Sequence, residues 1–158
     1  MLSLLSACVT AITLVAAEPA TPPAFQIRLV QDVPNPNTEQ MTITHSVTDT
    51  NRTTAEVLNV QKMPLMDHTA VRSAVVQKHR TTGDPLIEVT FTDSGRKLFA
   101  DVTRRNSGKR LAILVDGKLL SAPKVMMEIP NGIAVINGRF SERDAIEFAT
   151  KVNNALKK

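Results

Sequence analysis

A chain of 158 residues with 42% apolar and 22% charged content can fill one compact core and is too short for two cores of ordinary size. Lys and Arg outnumber Asp and Glu by 19 to 15, a net charge of +4, but with no Trp or Tyr there is no stacking platform, which excludes nucleic acid as the expected partner. The single cysteine, Cys8, excludes a disulfide framework within the chain.

Residues 1 to 17 carry no charge and end in Val15-Ala16-Ala17. This reads as the apolar region and small-residue cleavage site of a secretory signal lacking the usual basic start. A spanning helix would need about 20 apolar residues, and this run falls short. Leu5-Ser6-Ala7-Cys8 has the form of a bacterial lipobox, making Cys8 a candidate lipidation site and a possible membrane anchor. The apolar run continues past Cys8 to Ala17, however, and cleavage there would leave a mature chain without a thiol. Residues 18 to 24 (EPATPPA) form a Pro-rich extended linker, and residues 25 to 158 form the folded domain.

Phe25, Ile27 and Leu29 alternate with more polar neighbours, as a half-buried strand requires, until residues 32 to 37 interrupt it with two prolines. Met41 to Val47 is a second strand, Thr48 to Thr54 a polar loop, and Glu56 to Lys62 a third strand. Asp67 is placed to cap a short helix containing Ala70, Val71 and Ala74, followed by an extended Val75 to Lys78. Thr81 to Asp84 supplies a turn, after which Leu86 to Phe91 alternates so that Ile87, Val89 and Phe91 face the core. Asp93 is the expected cap of a helix with Leu98, Phe99 and Val102 on one face, and Gly108 ends it. Leu111 to Val115 is a strand returned by Asp116-Gly117, the dipeptide a two-residue hairpin requires. A second hairpin is expected between Val125–Ile129 and Ile133–Ile136 through Pro130-Asn131-Gly132. Ser141 caps the last helix with Asp144 three residues on, and Ile146, Phe148, Ala149, Val152 and Leu156 form its apolar stripe. The fold class is α+β, an antiparallel sheet of about six to eight strands built from hairpins with two main amphipathic helices packed on one face.

The run from Gly108 to Pro123, GKRLAILVDGKLLSAP, resembles the GK-x-LAI-x-LDG-x-(apolar)-x-SAP segment in the periplasmic head of the SecD subunit of bacterial Sec translocase. Phe91 through Gly95, with Phe99 and Thr103, is similar to the helix that precedes that segment. Ile136-Asn137-Gly138-Arg139-Phe140-Ser141, with Glu142 and Ala145, is similar to the family's closing motif. The resemblance covers roughly residues 56 to 158 and is weakest in the first third. It implies a head on the outer side of the membrane that engages emerging preprotein while transmembrane helices drive the movement. Lacking such helices and their charged residues, this chain reads as a stand-alone exported head, periplasmic or envelope-associated.

Catalytic patterns are weak. Ser121 and Lys124 fit a Ser-x-x-Lys spacing, but they sit at a strand end, where residues three apart point to opposite faces, and the partner motifs are absent. His45, His68 and His79 lie singly in separate elements without zinc-site spacing. Gly95 and Gly108 are isolated rather than part of a phosphate loop, and Asp93, Asp101, Glu142 and Asp144 belong to caps and exposed faces. No enzyme activity, cofactor or metal is therefore expected. The cations Arg96, Lys97, Arg104, Arg105, Lys109 and Arg110 serve solubility or attraction to anionic lipid. Met63, Met66, Met126 and Met127 are the candidate peptide-binding residues, because unbranched thioethers adapt to varied apolar partners. In a strand, Met126 and Met127 would face opposite ways. The expected function is a non-enzymatic binding module for unfolded or extended polypeptide, in protein export or envelope protein folding, with the Sec translocon or envelope proteins as further partners. The alternative is a tethered structural envelope protein docking one folded partner.

Overall fold

The computed structural model describes residues 23–47, 52–138 and 140–157. The leader, Cys8 and the linker up to residue 22 lie outside the described residues, as does the side chain of His45. Strand alternation in the first half gives β1 (Phe25–Gln31), β2 (Thr38–Val47), β3 (Arg52–Gln61) and the short β4 (Met66–Asp67). β5 (Val71–Lys78) and β6 (Pro85–Phe91) precede α1 (Asp93–Arg105). The chain ends with β7 (Leu111–Val115), β8 (Lys118–Ser121), β9 (Ile133–Asn137) and α2 (Glu142–Ala155). The class is α+β, antiparallel throughout, with two helices.

The strands divide between two sheets. A six-stranded sheet runs β2-β3-β1-β7-β8, with β4 also on β1, and a three-stranded sheet runs β5-β6-β9. One edge of β1 is shared lengthwise: Gln26 and Ile27 pair with β4, and Val30 and Gln31 with β3. The other edge of β1 pairs with β7 from Phe25↔Val115 to Leu29↔Leu111.

Every residue of β7 is buried, and its two faces serve different cores. Leu111, Ile113 and Val115 join Phe25, Ile27, Ile87, Val89, Phe91 and Phe99 between the sheets and helices. Ala112 and Leu114 join Ile43, Leu58, Val60 and Ala122 on the other side. Ile87, Val89 and Phe91 face the core as their alternation dictates, and the Phe91 and Phe99 rings lie 4.7 Å apart.

The helices start on side-chain caps. Thr92, not Asp93, caps α1, its hydroxyl accepting the Gly95 N–H at 3.0 Å; Asp93 is one residue inside, where its charge favours the helix N-terminus. Ser141 and Asp144 form the reciprocal capping box of α2. The hairpin turn β7–β8 has positive φ at both Asp116 (51°) and Gly117 (75°).

Other local expectations are corrected. Asp67 caps only a single 3-10 turn, His68–Ala70, and Val71 and Ala74 belong to β5. β3 begins at Arg52, so Thr54 lies in a strand rather than a loop. Val125–Ile129 is not a strand: β9 pairs with β6, from Leu86↔Asn137 to Thr90↔Ile133, and the Ile129 N–H is taken by Thr103 Oγ1 at 3.0 Å. Leu98 and Ile146 are exposed, so the buried stripes are Phe99, Val102 and Thr103 on α1 and Ala145, Ala149 and Val152 on α2.

At the start of α1, a Cβ on Gly95 would lie 2.1 Å from the Ala70 carbonyl oxygen, which also accepts the Thr92 N–H at 2.9 Å. Gly95→Ala, favourable by helix propensity, is expected instead to destabilise the fold by about 2–3 kcal/mol in urea denaturation, because backbone must shift to admit it. The Ser141 hydroxyl, followed by the Ser141 N–H, holds the Asp144 carboxyl below the ordinary value of 3.8. A carboxylate with a lowered folded pKa stabilises the fold above its unfolded pKa, and that contribution is lost as pH falls through the folded one. Denaturation midpoints should therefore drop on acidification below pH 3.8, and by a smaller step in Asp144→Asn than in the parent.

Candidate functional site

The chain reverses at the end of α1. Asn106 caps the helix, its N–H and its side-chain amide both donating to the Val102 carbonyl at 3.1 and 2.8 Å, and Gly108 adopts φ +82°. That left-handed residue turns the backbone and lets the segment Pro123–Ile129 lie alongside. Gly108 N–H donates to the Val125 carbonyl and Val125 N–H to the Lys109 carbonyl, both at 2.8 Å, while Leu111 N–H donates to the Pro123 carbonyl at 3.0 Å. The Ser107 hydroxyl reaches the Met126 carbonyl at 3.3 Å, and buried Thr103 holds Ile129.

This strap buries Val125 and leaves both following side chains outside: Met126 is 74% and Met127 71% exposed. The expectation that they face opposite ways fails because the segment has no strand pleat. Beneath them is a cleft of about 280 Å³, floored by Ile27, Phe99 and Ile113 and walled on the far side by Ile133 and Val135 of β9. Of the four candidate methionines, the structure brings only these two together. Met66, 3% exposed, fills the main core opposite Ile27, and Met63, 76% exposed, lies in the connection after β3 and does not line the cleft. The β9 wall is not among the sequence expectations, although Val135 between the buried Ala134 and Ile136 carries the alternation that marks it.

A larger and more polar hollow of about 890 Å³ opens near β8 and the β5–β6 turn, lined in part by His79, Asp84, Arg110, Ser121 and Asn137. Three of its polar side chains are engaged with structure. Arg110 grips Glu56 with two bonds of 2.6 and 3.2 Å and donates through Nε to the Ala122 carbonyl at 2.9 Å. Ser121 Oγ donates to the Asn137 carbonyl at 3.3 Å, and His79 Nδ1 accepts the Thr82 and Thr81 N–H groups at 3.3 and 3.4 Å. No hydrogen bond joins Ser121 to His79, and Lys124 lines the methionine cleft rather than this hollow. A serine nucleophile needs its base within hydrogen-bond reach, and among the described residues the bond recorded for the Ser121 hydroxyl goes to a backbone carbonyl rather than to a base. His68 stands apart in the 3-10 turn, its Nδ1 buried without a hydrogen-bond partner. Among the described residues, no group of three or more His, Cys, Asp or Glu is placed to hold a metal ion, and no helix is long and apolar enough to cross a membrane. The basic cluster is partly neutralised, with Arg104 and Arg105 both paired to Asp101.

Comparison with known proteins matches residues 42–157 to the family model described as SecDF, P1 head subdomain. The chain is 41% identical over 85 residues to protein translocase subunit SecD of Sebaldella termitidis, covering 54% of this chain and 21% of that protein. It is 48% identical over 67 residues to protein translocase subunit SecDF of Thermus thermophilus, covering 42% of this chain and 9% of that protein. Two solved structures are similar across 81% of this chain. One, titled as a membrane component SecDF that enhances protein export, aligns with a TM-score of 0.61 at 27% identity over 60% of its own chain. The other, SecDF in a super-membrane-facing form, aligns with a TM-score of 0.60 at 28% identity over 18% of its chain. The chain thus spans only 21% or less of these two curated relatives.

The two classes of methionine separate in stability measurements. Met66→Ala is expected to cost about 2–5 kcal/mol in urea denaturation, as a buried large-to-small change does. Met63→Ser and Met127→Ser should each stay within about 0.5 kcal/mol of the parent.

Proposed function

The chain belongs to the SecDF P1 head subdomain family, and from that membership we propose that it is a binding module of protein export which engages polypeptide segments without chemistry of its own. Residues 1 to 17 direct its export, residues 18 to 24 tether the domain, and it works on the outer side of the membrane, alongside the Sec translocon or envelope proteins. The observation that carries this reading is the cleft under Met126 and Met127, an apolar floor opened to solvent by two adaptable thioethers. Sulfur's polarisability and the three rotatable bonds of methionine let such a rim follow different apolar side chains, so the binding is weak and sequence-tolerant.

Titration of the full chain with a fluorescent, permanently unfolded polypeptide (reduced, carboxymethylated α-lactalbumin) tests this. Binding is expected for the unfolded polypeptide and not for its native form. The double variant Met126→Ser, Met127→Ser should weaken it about tenfold, since partial reburial of two methionines corresponds to roughly 1.4 kcal/mol. Absence of binding, or equal binding of the native form, overturns the proposal.

A further inference from the structure

The manner of binding can be read from the hydrogen bonds of the small sheet, an inference that rests on the function proposed above. Phe91 N–H donates to the Gly132 carbonyl at 2.9 Å. Bonded and non-bonded pairs alternate along an antiparallel ladder, so with Phe91 and Gly132 bonded the next bonded pairs are Val89 with Ala134 and Ile87 with Ile136. The N–H and C=O groups of Ile133, Val135 and Asn137 then point away from β6, along the outer edge of β9.

At each end of that edge one group is satisfied locally. The Asn131 side chain accepts the Ile133 N–H at 3.2 Å, and the Ser121 hydroxyl donates to the Asn137 carbonyl at 3.3 Å. Between them Val135, 46% exposed, has no partner among the described residues for its outward pair. The opposite edge of the sheet is matched at one residue. The same alternation turns the backbone groups of Ala74 outward from β5, and the Asn153 side chain of α2 takes both of them: it accepts the Ala74 N–H at 2.9 Å and donates to the Ala74 carbonyl at 2.7 Å. On β5 an amide that imitates a neighbouring strand matches Ala74 alone, while Val76, turned outward by the same alternation, has no such match among the described residues; what distinguishes Val135 is that its open pair lies beside the methionine cleft.

We propose that the polypeptide partner binds as an added strand on β9, with an extended segment pairing to Val135 and every second side chain entering the cleft under Met126 and Met127. Only an extended backbone offers a donor and an acceptor at the spacing of a strand edge, and its alternation supplies apolar side chains to the cleft face alone. The class of partner is therefore a short segment in β conformation, apolar at alternate positions.

The test uses the full chain and a ten-residue peptide of alternating Leu and Thr, with amide hydrogen exchange followed by NMR. At saturation the Val135 amide should exchange at least about tenfold more slowly, while the Ala134 and Ile136 amides, already bonded to β6, change little. Val135→Pro removes an outward N–H that the sheet does not use, so it is expected to keep the parent denaturation midpoint and weaken peptide binding about tenfold or more. If that variant fails to fold, the exchange measurement on the parent still decides. Peptide binding with unchanged Val135 exchange overturns strand addition and leaves the proposed function standing. Absence of peptide binding overturns both. Protection of Val135 that grows with protein concentration in the absence of peptide assigns the edge to a second copy of the chain and overturns the partner proposed.

Discussion

A single strand, β7, holds the molecule together because it is buried on both faces. Leu111, Ile113 and Val115 enter one core, while Ala112 and Leu114 enter the other. A shift of one residue in its register would exchange these two sets and misfit both cores at once. Few registers satisfy such a condition, and the chain fixes this one at each end: Gly108 releases the helix before it, and Asp116-Gly117 turns the chain after it. Pairing to β1 along all five residues of β7 then aligns the first strand of the domain with the middle of the chain.

The cleft arises from how that strand is reached and left. Pro123–Ile129 crosses back over the end of α1 because the backbone groups around Gly108 and Lys109 are free to bond Val125, and Thr103, otherwise an awkward polar residue in a buried stripe, satisfies Ile129. Val125 is the only residue between Lys124 and Glu128 whose side chain is buried, so the methionines beside it are carried outside by a backbone that is itself bonded. Their exposure costs little, since the strap is held by hydrogen bonds and one valine rather than by the thioethers.

What the sequence made legible was local. The capping box at Ser141, the left-handed Gly108, the Asp-Gly turn and the alternation of Ile87, Val89 and Phe91 are set by neighbours within a few residues, and each is found in the fold. The misassigned pairing was non-local. Asn131-Gly132 does carry the positive φ of a turn, at Gly132, but the strand it introduces pairs with β6, more than forty residues earlier, and not with the segment just before it. Proline at 123 and 130 and the demand of Thr103 for a donor weigh against a strand there, and neither is a periodicity signal. The cap of α1 moved one residue because Thr92 and Asp93 are both competent, and only the carbonyl of Ala70, distant in sequence, selects between them. The methionines show the same limit: composition marks them alike, and only the tertiary fold separates Met66 from Met126.

The two edges of the small sheet differ at single residues, Ala74 of β5 being matched by a side chain and Val135 of β9 being left open. An uncovered strand edge is a template for unwanted pairing, and natural sheets commonly block it. Here α2 devotes a partly buried asparagine to β5, matching both outward groups of one residue, although α2 already packs against β5 through its apolar stripe. On β9 the device is absent where it would matter most, at the middle residue, and the local bonds at Ile133 and Asn137 shorten the open stretch to a length that limits indiscriminate pairing without preventing it. Backbone bonds ignore side-chain identity and thioethers tolerate variety in it, so under the strand addition proposed above an edge of this length beside two methionines would select for extension and alternate apolarity rather than for a particular sequence. That selectivity would suit the polypeptide-binding role proposed above, in which one site meets different chains in turn.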